Sequence, residues 1–256
     1  MKTVTTITIS IVATFFVACG GGGSDATSIT SEKATITGTV PGTLIESFCK
    51  DGSYNKVNSI QNGTTKHPFS ISVPKNTACS LVMTTNENNA TNRVISPIKF
   101  TKNGTTGKTL SISTDINLGN VPLATSYTNV SGLDGNSDHV LDSGFELEVD
   151  GNKSEEVANT SISYYDKDQD GLVDVYQDKN SNGKVDAYDD DNNNGIVNID
   201  EDRNSDGRPD YIEDDNGNGI LNYREDSDGN GKADYSEDAD GDGIENHVDS
   251  DYENGN

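Results

Sequence analysis

Short runs of alternating apolar and polar residues mark the stretch from 34 to 123: Thr35 to Val40, Phe69 to Val73, Ser80 to Thr84, Val94 to Phe100, Thr109 to Ser113 and Ile116 to Val121. Each has the length of a strand, is rich in β-branched residues and is bounded by Gly, Pro, Asn or Ser. The period of two therefore wins over a helical period, of which no long instance occurs. The pattern predicts a mainly β chain whose residues 34–123 form a β-sandwich around one core. The stretch 124–165 reads as a linker, most polar from Asp150 to Thr160. Beyond it apolar positions thin out, and the order that remains is a repeat.

From Asp166 the chain repeats every 12 residues through residue 251, and residues 252–256 are left as a tail. Position one is Asp in all seven copies: Asp166, Asp178, Asp190, Asp202, Asp214, Asp226 and Asp238. Position six is always glycine, from Gly171 to Gly243, where a loop wrapping a cation must turn with a conformation that a Cβ disfavours. Position three holds Asp168, Asn180, Asn192, Asn204, Asn216, Asp228 and Asp240, and position five holds Asp170, Asn182, Asn194, Asp206, Asn218, Asn230 and Asp242. Position nine holds Asp174, Asp186, Asn198, Asp210, Asn222, Asp234 and Asn246. Position twelve is Asp189, Glu201, Glu213, Glu225, Glu237 or Asp249, with Gln177 as the exception.

Calcium is a hard cation that takes roughly six to eight oxygens. This spacing offers it side-chain oxygens at positions one, three and five, a carbonyl at seven, an oxygen or bridging water at nine, and a closing carboxylate at twelve. The neutral Gln177 leads to the expectation that the first loop binds less tightly than the central ones. A period of 24 lies inside the first: position seven is Leu172, Ile196, Ile220 and Ile244 in odd copies but Lys184, Arg208 and Lys232 in even ones, which places the apolar residues on one edge.

Charge follows the same division. From Asp166 onward 29 Asp and Glu face 7 Lys and Arg, whereas residues 1–165 hold 14 against 11. An acidic half without a basic stripe repels phosphate backbones, so nucleic acid is excluded as a partner and divalent cations are favoured. Catalysis finds no support either. His67, His139 and His247 fall in separate segments, with no Gly-x-Ser-x-Gly elbow, zinc-ligand spacing or phosphate-cradling loop beside them. Between the halves, Asp134 to Asp142 echoes the repeat out of register, with His139 in the glycine position, and reads as a degenerate loop.

At the start of the chain, Lys2 precedes an uncharged, largely apolar stretch through Ile7, Ile9, Ile11, Val12, Phe15, Phe16 and Val17, too short for a comfortable membrane span. Ala18-Cys19 followed by the run Gly20 to Gly23 resembles a bacterial lipoprotein signal, although Phe16 stands where Leu is usual. The resemblance implies removal of residues 1–18, lipidation of Cys19, a flexible tether over 19–33 and, from Gly20, an outer-membrane location. Setting Cys19 aside leaves Cys49 and Cys79, an even count that suggests a disulfide in an oxidising compartment.

Two further resemblances follow. Gly38-Thr39-Val40, Phe69 to Pro74 and Cys79 to Val82 resemble the carboxypeptidase regulatory-like and Cna-B-like sandwich domains, which implies a fold and a spacer or adhesive role rather than a reaction. The contiguous Asp-x-Asp-x-Asp-Gly units leave no room for the flanking helices of an EF-hand and resemble thrombospondin type 3 repeats. That resemblance implies a chain wrapped around a row of calcium ions. The joint expectation is a non-enzymatic, calcium-binding envelope lipoprotein that acts as a spacer or stalk. The competing expectation is a calcium-dependent adhesin recognising a surface glycan or protein.

Overall fold

The computed structural model describes residues 32–150, 155–179, 181–191 and 193–229, together with 234, 237–239, 241 and 246. The expected signal peptide, Cys19 and nearly all of the tether lie outside the described residues, as do Asn180, Asn192, Asn230, Asp240, Asp242 and Asp249. Among the described residues the chain is mainly β, every helical segment is a three-residue 3-10 turn, and no helix is long and apolar enough to cross a membrane.

The strands are β1 (Lys33–Val40), β2 (Thr43–Cys49), β3 (Tyr54–Asn58), β4 (His67–Pro74), β5 (Cys79–Thr85), β6 (Val94–Lys102), β7 (Thr105–Gly107), β8 (Thr109–Ser111), β9 (Ile116–Asn120), β10 (Phe145–Glu148) and β11 (Glu156–Ala158). One sheet runs β4-β1-β9. The other runs β10-β6-β5-β2-β3, with β7 on β6, β8 on β5 and β11 on β8. The two sheets share a core of alternate residues, among them Ile36, Val40, Phe69 and Ile71 from the first and Ile45, Leu81, Met83, Ile98 and Phe100 from the second. Cys49 and Cys79 lie directly opposite each other on β2 and β5 and are disulfide-bonded. The stretch 124–165, read from sequence as a linker, supplies β10, parallel to β6, and β11, antiparallel to β8.

All six alternating runs of the sequence contain a strand, but β2 shows no alternation and is central. Every residue of β2 and of β5 is buried, because the larger sheet is covered on both faces. On its second face, Phe48, Val82 and Ile95 meet Tyr165, Val173, Val175, Tyr176, Val185, Tyr188, Ile199, Tyr211 and Leu221 of the repeats in a second apolar cluster. A strand buried on both sides loses the period-two signature.

The repeats lie on that face as a series of loops with 3-10 turns at Asp174–Tyr176, Asp186–Tyr188, Asn198–Asp200, Asp210–Ile212 and Asn222–Arg224. Each turn opens at position nine and carries position ten inward, and position eleven as well at Tyr176, Tyr188 and Ile212, whereas Asp200 is exposed; position eight precedes the turn and is buried at Val173, Val185 and Leu221. Position seven, expected as an apolar edge, is split: Leu172 packs against the second cluster, whereas Ile196 is 48 % and Ile220 44 % exposed. Polar ties cross the junction as well. Tyr54 and Tyr176 both donate to the fully buried Glu46, Lys56 Nζ donates to the Ile199 carbonyl at 3.0 Å, and the Arg93 guanidinium sits 3.3 Å from the centre of the Tyr188 ring.

Candidate metal centre

Each loop is drawn around the carboxylate at position one. Asp178, Asp190, Asp202 and Asp214 accept the N–H of position five on one oxygen and that of the position-six glycine on the other, at 2.8 to 3.1 Å. Closing so small a ring puts positions four and six in the left-handed region: Gln169, Ser181, Asn193 and Ser205 have φ of 57° to 60°, and Gly183 and Gly207 have 85° and 90°. A Cβ at Gly183 or Gly207 would meet nothing within 4 Å, so backbone conformation rather than space demands glycine there. At Gly171, with φ of 90°, the same demand holds, and a Cβ would in addition run into the Lys108 side chain lying across the loop.

Position nine braces each loop. Its N–H donates to the carbonyl of the residue before the loop, as in Asp186 to Gln177 at 2.9 Å and Asn222 to Glu213 at 2.7 Å. Its Oδ1 accepts the N–H of position two, as at Asp210 and Asp234. Where the residue is Asn, the amide also donates to the carbonyl twelve residues earlier: Asn198 to Asp186, Asn222 to Asp210 and Asn246 to Asp234, at 2.7 to 3.0 Å. The Asp/Asn alternation at position nine thus ties odd loops back onto even ones. Asp174 forms a buried ion pair with Arg224 at 3.0 Å, which engages its second oxygen.

Position twelve folds back over positions three and five. Asn182 donates to Asp189, Asn194 to Glu201, Asn204 to Glu213, and both Asn216 and Asn218 to Glu225, at 2.5 to 3.0 Å. In the first loop the direction reverses, and the Gln177 amide donates to Asp168 and Asp170. Position twelve is thereby gathered with position three or five in these loops, beside the backbone turn that position one draws together. In these hydrogen bonds the Asn side chains present nitrogen to the carboxylates, and a half-turn of each amide would present oxygen instead. Asp226, Asp228, Glu237 and Asp238 continue the series of described positions.

The first loop is the one place among the described residues where three carboxylates come together. Asp166, Asp168 and Asp174 each offer an oxygen within 4.8 Å of the others. Asp166 is 4 % exposed and its Oδ1 is buried without a hydrogen-bond partner. Burial, reinforced by the Asp170 charge, pushes its carboxyl up to about 6. Burial likewise raises Asp186 to about 6 and Glu213 to about 7. These groups are costly as isolated anions, and a cation removes that cost. An oxygen-only donor set of this kind suits a hard divalent ion.

The degenerate segment has the same fold as the repeats. Ser137 and His139 have φ of 66° and 72°, the His139 N–H donates to Asp134 at 2.8 Å, and the Asp142 N–H donates to the Leu133 carbonyl at 3.0 Å. Here Phe145 stands at position twelve, and the Tyr127 hydroxyl, 2.6 Å from Asp134, supplies a further hydrogen bond. Oxygen-donor spacing does not mark position eight, which the structure turns inward. Val173, Val185 and Val197 recur every 12 residues at position eight, a signal present in the sequence. Comparison with family models, with curated proteins and with solved structures finds no match to this chain.

Proposed function

We propose that this chain is a non-enzymatic, calcium-binding protein of the cell envelope whose 12-residue loops each hold one ion. The observation that carries the reading is the buried, unpartnered Oδ1 of Asp166 beside Asp168. Repetition of the same converging geometry along the loops supports it further. In the cation-free chain the acidic loops repel one another; bound calcium neutralises them and fixes positions eight and ten against the sheet. The module this makes is a compact one, in which the loops stiffen and cover the second sheet rather than extend from it. Anchoring through Cys19, and with it an outer-membrane location and a spacer role, rests on the lipoprotein resemblance.

Calorimetric titration of the calcium-depleted chain tests the reading. Several ions should bind, in the 0.1 to 1 mM range, roughly that of extracellular calcium modules. Asp202→Asn together with Asp214→Asn should remove about two of them. Absence of uptake at 10 mM calcium, far above that rough range, would overturn the assignment.

A further inference from the structure

Among the described residues the joints between successive loops are of two kinds. Each joint has a backbone bond, from the N–H of position nine to the carbonyl of the residue before its loop. Alternate joints add a side-chain bond: Asn198 reaches the Asp186 carbonyl at 2.8 Å, Asn222 that of Asp210 at 3.0 Å and Asn246 that of Asp234 at 2.7 Å. At the other joints position nine is Asp186, Asp210 or Asp234, and a carboxylate has no donor to reach back with.

What each Asn connects gives this bond its consequence. The carbonyl it reaches also accepts the position-twelve N–H of the earlier loop: that of Asp189 on Asp186, Glu213 on Asp210 and Glu237 on Asp234, each at 3.2 Å. It therefore belongs to the turn that carries the earlier loop's closing carboxylate. The Oδ1 of the same Asn accepts the position-two N–H of its own loop, that of Asp215 on Asn222 at 3.2 Å and Ala239 on Asn246 at 3.0 Å. One amide thus ties the closing end of one loop to the opening of the next.

Resting on the calcium reading above, we infer that the loops load calcium in pairs, Asp178 with Asp190, Asp202 with Asp214 and Asp226 with Asp238, and that an ion in the first loop of a pair raises the affinity of the second. An ion held by position twelve of the first loop fixes the turn behind it. The Asn then finds its carbonyl in place, and the second loop is ordered before its own ion arrives. Ordering already achieved by one ligand lowers the cost of binding the next. Donor charge sets the sequence of filling. At positions one, three, five, nine and twelve the loop at Asp202 has four carboxylates and the loop at Asp214 two; the loop at Asp178 has three and the loop at Asp190 two. Affinity of such loops rises with ligand charge, so in these two pairs the earlier loop fills first. The loop at Asp166 stands outside the pairs, because position nine of the loop after it is Asp186.

Calcium is titrated into the full chain while the amides of Gly183, Gly195, Gly207 and Gly219, each bonded to position one of its loop, are followed by NMR. Asp202→Asn should raise the calcium midpoint at Gly219 about tenfold, a coupling of ordinary size between linked sites, although the residues of that loop are unchanged. Asp190→Asn should leave the Gly207 midpoint in place, because no Asn joins those two loops. In the Asn222→Asp chain, which keeps the Oδ1 and loses the donor, Asp202→Asn should no longer move Gly219. Asp178→Asn read at Gly195, with and without Asn198→Asp, repeats the test on the other pair and serves where a variant of the first pair fails to fold. A Gly219 midpoint untouched by Asp202→Asn, a shift that survives Asn222→Asp, or an equal shift of Gly207 by Asp190→Asn would each overturn the pairing while leaving the calcium reading intact. Glycine amides that do not respond to calcium at all would overturn both.

Discussion

Tyr176 is where the repeats are bonded to the sheet, and its replacement by Phe isolates one atom of that junction. Its ring is fully buried against Phe48, and its hydroxyl donates to Glu46, 130 residues away in sequence. Glu46 is fully buried, and burial raises its pKa; Tyr54 donates to its other oxygen at 2.5 Å. A hydrogen bond to a buried charged acceptor contributes about 1.5 to 3 kcal/mol, so at pH above the raised pKa of Glu46 Tyr176→Phe should cost about 2 kcal/mol. For a chain of this size that is a fall in Tm of about 4 to 8 °C. Urea unfolding in saturating calcium, followed by tyrosine circular dichroism, reads the loss. In a Glu46→Gln background the same substitution should cost only about 1 kcal/mol, because the acceptor is neutral. Glu46 holds its proton more tightly folded than unfolded, so its protonation favours the fold as pH falls through the raised value; the Tyr176→Phe cost should shrink over that range. A loss below about 0.5 kcal/mol, the level of an ordinary surface change, would refute docking of the repeats through this pair.

Asn222→Asp replaces the donor that reaches the Asp210 carbonyl with a charge and should lower stability by about 1 to 3 kcal/mol in thermal melts. Gly207→Ala meets no steric obstacle and should still cost about 1 to 2 kcal/mol from its φ of 90°, whereas Gly132→Ala, at a glycine outside the left-handed region, should be near neutral. Replacing Cys49 and Cys79 together by Ala should cost about 3 to 4 kcal/mol by opening a loop of 30 residues, measured by denaturant unfolding without reductant. Asp166, Asp186 and Glu213 have folded pKa values of about 6, 6 and 7 against ordinary values of 3.8, 3.8 and 4.5. Their contribution to the cation-free fold is present at low pH and lost as pH rises through 6 to 7. Calcium affinity has the opposite sign and should weaken as pH falls through the same window, as calorimetry at several pH values would read.

What the sequence revealed and concealed divides along physical lines. Strands with one solvent-facing or partly covered side announce themselves by alternation, and β1 is the plainest, with every second residue buried; β5, buried throughout, is found only because Ser80 and Thr84 flank its apolar residues. β2 is hidden because the repeats cover its outer face, so Glu46 and Phe48 are as buried as Ile45 and Cys49. The oxygen donors are legible because a metal loop fixes residue type at fixed spacing. Their neighbours are less so: Val, Ala, Ile, Tyr and Leu all serve at positions eight and ten, since the second cluster requires apolar volume rather than one residue. Position seven misleads for the converse reason. Ile196 and Ile220 have a clear period but point away from the sheet. Nor could a one-dimensional reading find the ion pair of Asp174 with Arg224, 50 residues apart, made by a carboxylate that also faces Asp166 and Asp168.

Amide hydrogen exchange of the full chain, with saturating calcium and then with excess chelator, tests most directly the claim that calcium fixes the loops against the sheet. With calcium, the glycine N–H groups bonded to position one at Gly183, Gly195, Gly207 and Gly219 should exchange slowly, as should the position-nine N–H groups. Chelation should release these together and, with them, raise exchange at Tyr54 to Asn58 of β3, the edge strand tied to the repeats through Lys56, while β1 and β4 remain protected. Identical exchange of the loop amides in calcium and in chelator would contradict the account.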